Sequence, residues 1–333
     1  MPLTPFFKFS LRLSVVLLSL TGLAGTAQAQ TCSFTFTAVN FGNVDVTTGG
    51  TYDTTGTFQA TCSGWAPLAT VRICPHLGPG SGGAGANGSP RTMLKDGTGP
   101  DALNYNLYKD APRTNIWGSY LVGWSGATPP QIDLATDTNG AGTTSATVYG
   151  RVAGSQNTAA VGSYSSTFSG ADVRVRYATA GLNDCTTISA NEGTTSFSTS
   201  ATVPASCTVN ATLLDFGTAG VLAANRDATS AVSIVCTRGA AYKIALGPGQ
   251  NDGGLGVGAR KMKSGGVTLA YQLYQDPGRS VVWGETLSGG GANIKSDTGN
   301  GSTQSHTVYG RVPPQTTPGA GTYTDTVVVT IEY

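Results

Sequence analysis

The sequence predicts an all-β protein that consists of two β-sandwich domains in tandem. The 333 residues include 47 glycines, and only 11% of them are charged, a composition that favours loops and strands over helices. Short runs of alternating apolar and polar residues are separated by glycine-rich turns, which is the pattern of half-buried strands. One long motif also occurs twice, which indicates a duplicated domain.

The repeated motif reads LNYNLYKDAPRTNIWG at residues 103–118 and LAYQLYQDPGRSVVWG at residues 269–284, 166 positions later. Two shorter blocks recur in the same order: TVYGRV at 147–152 and 307–312, then GSYSSTF at 162–168 and GTYTDTV at 321–327. Three blocks with a shared order predict two globular copies, each large enough to bury its own core. Residues that occur in both copies are therefore expected to serve the shared fold rather than a binding site.

The first 29 residues have the features of a secretory signal peptide. Lys8 and Arg12 supply the positive region, residues 13–20 the apolar stretch, and residues 27–29 an A-x-A cleavage site. A retained anchor is the weaker alternative, because the apolar run is short for a membrane span. We predict a mature chain that begins at Gln30, with one domain over residues 30–200, including an exit segment, and another over 201–333.

Charge and motifs argue against several classes of function. The net charge is +1, so the chain offers no basic surface for nucleic acid or an anionic membrane. Neither H-E-x-x-H, G-x-S-x-G nor a nucleotide-binding glycine motif occurs, and the G-P-G tripeptides at 78–80 and 247–249 are typical of turns. Since the sequence has no C-x-x-C and only His76 and His306, a metal site is not indicated either. We expect no enzyme activity, metal or other cofactor.

Six cysteines in an exported chain predict three disulfides. Fifteen pairings exist in principle, but the repeat narrows them. Cys32 and Cys207 each precede a Phe-Gly dipeptide, and Cys62 and Cys236 occupy matching later positions. The repeat thus predicts the pairs Cys32–Cys62 and Cys207–Cys236. The remaining pair, Cys74–Cys185, would tie the segment between the domains back onto the first domain.

Strands with regular turn spacing favour an immunoglobulin-like sandwich for each copy. The copies differ after their last shared strand. In the first copy that strand, around residues 171–177, is followed by nearly 30 residues, and 186–189 or 195–200 could supply one more strand. In the second copy the sequence stops at residues 327–333, within the corresponding strand. We expect the first domain to complete itself and the second to lack a strand.

The constellation L-x-Y-x-L-Y-x-D-x-x-R-x-x-x-W-G, T-V-Y-G-R-V and G-x-Y-x-[DS]-T resembles the spore coat protein U domain family. Its members are largely subunits of archaic chaperone–usher pili, and a tandem pair resembles their two-domain tip adhesin. The resemblance implies an incomplete second domain that accepts a strand from a neighbouring pilin. We place Val327, Val329 and Ile331 at the edge of its groove. The implied partners are a periplasmic chaperone, an outer-membrane usher and the adjacent pilin.

The predicted mature N-terminus suggests where such a subunit would lie. Only Gln30 and Thr31 precede Cys32, so the chain is expected to have no strand of its own to donate. A subunit that accepts a strand but donates none can lie only at a pilus tip. We therefore expect secretion through the periplasm and a final position on the cell surface.

Two loops of the first copy are longer than their counterparts in the second and carry apolar side chains. Exposed apolar loops often mark an interface, so we predict that they attach cells to an abiotic or host surface during biofilm formation. The predicted binding residues are Trp65, Leu68, Tyr120, Leu121, Val122, Trp124 and Ile132. In the alternative, Trp65 and Trp124 pack in the core or between the domains. A secreted coat or matrix protein and a carbohydrate-binding pilus lectin are the alternative functions.

Overall fold

The computed structural model of the chain describes residues 1–2, 29–181, 183–285 and 293–333. The predicted signal peptide therefore lies almost wholly outside the described residues. Within the described ranges, no helix has the length and apolar character needed to cross a membrane.

The described residues form strands joined by loops and by short 3₁₀ turns at Ala86–Gly88, Tyr120–Val122, Gly170–Asp172 and Val257–Ala259. The strands of the first domain are β1 Thr31–Phe36, β2 Val39–Asn43, β3 Tyr52–Ser63, β4 Thr70–Leu77, β5 Arg91–Lys95, β6 Ala102–Tyr108, β7 Ile132–Ala135, β8 Gly142–Val152, β9 Gly162–Phe168, β10 Val173–Thr179, β11 Asn191–Thr194 and β12 Phe197–Val203. Those of the second are β13 Cys207–Ala211, β14 Arg226–Cys236, β15 Ala241–Leu246, β16 Lys261–Ser264, β17 Val267–Ala270, β18 Gln272–Tyr274, β19 Lys295–Thr298, β20 Thr303–Val312 and β21 Val329–Glu332. The predicted all-β class with two domains in tandem is confirmed.

In the first domain, a large sheet and a small sheet enclose one core. The large sheet has the order β1-β3-β8-β6-β5-β9-β12-β2, and the small sheet the order β11-β10-β4-β7. Alternate side chains of each strand point inward, as the sequence pattern predicts; on β3 these include Phe58, Ala60 and Cys62, all fully or almost fully buried. Trp117, the tryptophan of the repeated motif, is completely buried and packs edge-on against Phe58.

The second domain repeats this plan with fewer strands. Its sheets have the orders β13-β14-β20-β18, β19-β15-β21 and β16-β17. Trp283, the counterpart of Trp117, is again completely buried, and its indole Nε1 donates to the Ile244 carbonyl at 3.1 Å. The repeated residues therefore serve the fold in both copies.

The shared aspartate and arginine of the motif shape a turn. The Asp110 carboxylate accepts from the backbone nitrogens of Thr114 and Asn115, and Asp276 accepts from Ser280 and Val281 in the same way. The Thr114 hydroxyl, which also donates to Asp110, and these backbone bonds lower the pKa of the Asp110 carboxyl. The backbone bonds from Val281 and Ser280 lower that of Asp276. The arginine three residues later adopts a positive φ in each copy, 60° at Arg113 and 56° at Arg279.

All three predicted disulfides are present. Cys32–Cys62 and Cys207–Cys236 each join the first strand of a domain to the strand that pairs with it, β1 to β3 and β13 to β14. Cys74–Cys185 joins strand β4 to the segment that leads out of the first domain. In the chain-entropy model, a loop of roughly 100 residues closed in this way contributes about 4.7 kcal/mol.

Strand β12 completes the first domain from within the chain. It pairs with β9 on one side and, in parallel, with β2 on the other. The predicted segment 195–200 overlaps this strand, but segment 186–189 does not supply it. Residues 186–189 instead form a turn around the Asp184 carboxylate, beside the Cys74–Cys185 disulfide. Phe197 anchors β12, with its ring stacked on Phe168 and Phe36 at centroid distances of 4.6 and 4.7 Å.

The boundary between the domains falls between Val203, the end of β12, and Cys207, the start of β13. Arg238 of the second domain reaches across it. Its guanidinium contacts the Asp101 carboxylate and donates to the Thr158 carbonyl at 2.6 Å, while its own carbonyl accepts from Val161 N at 2.9 Å.

Candidate functional site

A groove runs along the second domain at the place where β12 lies in the first. It is a cavity of about 670 Å³ between residues 214–220 and 317–323. Its apolar lining includes Leu214, Phe216, Leu222, Met262, Leu269 and Tyr323. No segment among the described residues occupies it as a strand.

One edge of the groove is segment 321–327, the counterpart of strand β9. Its inward residues are Tyr323, Asp325 and Val327, and each is only half-buried. The matching residues of the first domain, Tyr164, Ser166 and Phe168, are all at most 1% exposed because β12 covers them. The alternation is the same in both domains, and only the covering strand is missing.

The other edge is segment 214–218, the counterpart of strand β2. In the first domain Val39 and Phe41 of β2 are buried. The matching Leu214 and Phe216 contact the second core but remain half-exposed. The second domain thus keeps both walls of the β12 site, while no strand formed by the residues that the structure describes lies between them.

Val327, Val329 and Ile331 were predicted at the groove edge. Val327 is half-buried at the end of segment 321–327, beyond the residues that line the cavity. Val329 and Ile331, however, belong to β21, where they pair with Leu246 and Ile244 of β15 in the opposite sheet. The prediction that they form the edge is wrong, because the chain crosses from one sheet to the other after Val327, as it does between β9 and β10.

Of the two predicted surface tryptophans, neither projects freely. Trp65 is 4% exposed and packs against Tyr177 at a centroid distance of 6.1 Å, so its assignment to the binding surface is wrong and the core alternative is correct. Trp124 is half-buried, with its ring 5.1 Å from the guanidinium carbon of Arg91 and close to Gly88. It therefore covers a structural arginine, and its substitution would disturb the fold.

The two longer loops of the first domain lie at opposite ends of strand β4. Leu68, which is 74% exposed, precedes the start of β4 at Thr70. Tyr120 lies against His76 near the other end, at a centroid distance of 6.3 Å. With about 3.3 Å per residue, six residues of strand separate the two loops by about 20 Å. They do not form one continuous surface.

The exposed apolar group of the second loop is the 3₁₀ turn Tyr120–Val122. Tyr120 is 41% and Val122 38% exposed, whereas Leu121 is half-buried. Ser119 is buried and caps the turn by accepting from Leu121 N at 3.0 Å. Ile132 lies on strand β7, half-buried against the core, and so does not belong to this projection.

Beneath this turn, the buried His76 gives the first domain a pH-dependent stability. Burial, followed by the positive charges of Arg176 and Arg174, lowers its pKa to about 4, and Glu192 opposes the shift. The unfolded chain, whose imidazole pKa is about 6.5, takes up the proton first. The stabilisation present at neutral pH is therefore lost as the pH falls from 6.5 to 4.

We expect the first domain to lose about 2 kcal/mol of unfolding free energy between pH 7 and pH 5. Denaturant unfolding followed at both pH values measures this loss. A His76→Gln variant should lose most of that dependence in the first domain, whereas His306, whose pKa burial also lowers, lies on β20 and affects the second domain. An unchanged pH dependence in this variant would show that His76 is not its source.

A buried arginine in each domain was not predicted from the sequence. Arg91 is completely buried and donates to the carbonyls of Leu77, Gly78 and Trp117. Arg260 makes the same bonds to Leu246, Gly247 and Trp283. Burial lowers the pKa of both to about 10. The R-x-M tripeptide, which occurs at 91–93 and again at 260–262, is the sequence signal that could have indicated these arginines.

Within the ranges that the structure describes, no three His, Cys, Asp or Glu side chains are grouped so that they could hold a metal ion. Apolar side chains line part of the groove and are exposed on the turn. Such an arrangement suits the contact of a strand or a surface with the chain.

Comparison with known proteins agrees with this architecture. Protein U of Myxococcus xanthus is 36% identical over 110 residues, which are 32% of this chain, and the chain spans 59% of that relative's length. Among solved structures, the CsuC–CsuE complex of a chaperone and a tip adhesion subunit, from archaic chaperone–usher Csu pili of Acinetobacter baumannii, shares the fold with a TM-score of 0.50 and 17% identity. That match covers 91% of this chain and 100% of the other.

The CupB6 tip adhesin of Pseudomonas aeruginosa gives a weaker match, with a TM-score of 0.35 and 12% identity over 90% of this chain and 93% of the other. The family described as the Spore Coat Protein U domain matches residues 18–170 and again residues 193–330. Both copies of the repeat, and with them most of the sequence, are covered, so this chain belongs to the spore coat protein U domain family.

Proposed function

We propose that this chain is the tip subunit of a chaperone–usher pilus. In this proposal, its second domain accepts a strand from the adjacent pilin, and its first domain attaches the cell to an abiotic or host surface. A periplasmic chaperone protects the groove before assembly, and an outer-membrane usher secretes the subunit to the cell surface. Attachment through many pili would support biofilm formation.

The observation that carries the proposal is the contrast between the two grooves. The same two walls hold strand β12 in the first domain and are uncovered in the second. Uncovered walls expose apolar side chains and the unpaired backbone groups of a sheet edge, which favours aggregation unless another strand pairs there. A strand from another protein supplies what β12 supplies in the first domain.

The attachment site that we propose is the turn Tyr120–Val122. Its two exposed side chains project from a loop that the buried Ser119 holds in place. Burial of a large side chain against an apolar surface contributes about 1.5–3 kcal/mol. The contribution of one tip is modest, but many pili acting together multiply it.

The assembly proposal is tested by producing the chain in a periplasm with and without its chaperone. We expect soluble monomeric protein only with the chaperone. A peptide that covers the N-terminal extension of the partner pilin should then displace the chaperone and raise the melting temperature of the second domain. A free chain that stays monomeric and is indifferent to both chaperone and peptide would show that the second domain is complete without a donated strand.

A further inference from the structure

We propose that Asp325 makes the groove of the second domain selective for a donor strand with a short hydrogen-bond-donating side chain, such as threonine, serine or asparagine, opposite its carboxylate. The inference rests on the proposed function, because it specifies the strand that the groove accepts. It adds a polar requirement to a groove whose lining includes the apolar side chains of Leu214, Phe216 and Met262.

The first domain provides the template, since β12 occupies the equivalent groove. Its inward row consists of Phe197, Thr199, Ala201 and Val203, all buried. Thr199 is the single polar member of this row and is completely buried. It lies opposite Ser166, and its Oγ1 donates to the Ser166 carbonyl at 3.4 Å. A small hydroxyl side chain therefore fills this position of the groove.

The second domain changes the residue beneath that position from a hydroxyl to a carboxylate. Aligning GSYSSTF with GTYTDTV places Asp325 where the first domain has Ser166. The Asp325 side chain lies in the inward row of the groove edge, between Tyr323 and Val327. An inserted strand in the β12 register would place its counterpart of Thr199 directly over this carboxylate.

The carboxylate is held in position from below. Its Oδ2 accepts from the Tyr271 hydroxyl at 2.6 Å, and its Oδ1 accepts from Gln250 N and Asn251 Nδ2, both at 2.9 Å. Burial and this bond to Asp325 raise the pKa of Tyr271, so the tyrosine remains a donor at neutral pH. A carboxylate has about four acceptor positions. Three are filled from the protein, and water can reach the carboxylate only while the groove is open.

A donated strand would exclude that water. A threonine hydroxyl at this position can then donate the last hydrogen bond to the charged group, whereas a valine of the same shape cannot. Hydrogen bonds to charged groups stabilise more than neutral ones, and a desolvated acceptor without a donor is costly. An aspartate would add like-charge repulsion. Long cationic side chains are excluded by size, because the matching position of the first domain is completely enclosed around Thr199.

The test uses the mature chain, purified as its complex with the chaperone, and peptides that copy residues 195–205, the sequence around β12. Equal amounts of the native peptide and a Thr199→Val peptide compete for the chain, and mass spectrometry of the isolated complex gives their ratio. We expect the native peptide to be enriched about tenfold or more. A Thr199→Ser peptide should compete almost as well as the native one. Because β12 already fills the groove of the first domain, a bound peptide occupies the groove of the second domain.

The matched variant is Asp325→Ser, which restores the first-domain residue. In it, the preference for threonine over valine should shrink to about threefold or less. Equal binding of the native and valine peptides to the unchanged chain would overturn the inference while strand acceptance stands. If no peptide binds at all, the groove does not accept strands and the proposed function fails with it. If the variant does not fold, the competition between the native and valine peptides for the unchanged chain still tests the inference.

Discussion

A chain with Phe197→Asp is expected to release strand β12 from the first domain and so to have two open grooves. Phe197 is 7% exposed between the rings of Phe36 and Phe168. Loss of a buried phenylalanine costs about 3–5 kcal/mol, and an unpaired carboxylate in its place adds several more. The strand has no comparable aromatic anchor elsewhere, so it should leave the sheet rather than bury the charge.

The measurement is the number of 195–205 peptides bound per chain, which we expect to rise from one to two, together with a lower melting temperature of the first domain. Thr202→Asp is the control, because Thr202 lies on the same strand with its side chain exposed. It should change neither quantity. A Phe197→Asp chain that still binds a single peptide and unfolds as before would show that β12 does not depend on this anchor.

Replacing Tyr120 and Val122 with serine is expected to abolish surface attachment without affecting pilus assembly. Tyr120 is 41% and Val122 38% exposed on the capped turn. Since only this exposed part can still be buried against a surface, the double substitution removes about 1–2 kcal/mol per tip. Attachment of cells that carry the double variant, counted under flow, measures the effect. Electron microscopy of the same cells shows whether pili are still made.

Leu68→Ser is the matched control at the other end of strand β4. Leu68 is more exposed than either turn residue, so a nonspecific effect of surface hydrophobicity would reduce attachment in this variant as well. We expect the Leu68→Ser cells to attach normally. Full attachment of cells with the double variant would show that the turn is not the adhesive site. Inhibition of attachment by a soluble sugar would favour a lectin instead.

Much of the architecture could be predicted, because the alternation of apolar and polar residues indicates the strands and the repeat indicates the duplicated domain. The duplicated cysteines predicted Cys32–Cys62 and Cys207–Cys236, and the remaining pair followed, as the structure confirms. Alternation with period two shows which residues of a strand face the core. Comparison of the copies then separated residues that serve the fold, such as Trp117 and Trp283, from those added to one copy.

The sequence by itself determined the strand content, the duplication and the disulfides. Only the tertiary structure decided which long-range neighbours meet. In the tertiary structure, Trp65 is buried, and Leu68 and Tyr120 lie at opposite ends of β4. Segment 321–327, rather than Val329 and Ile331, forms the edge of the groove. The physical reason is that alternation gives the face of a strand but not its partner strand. Loop burial and the contact of Asp325 with Tyr271 depend on pairings between residues far apart in the chain.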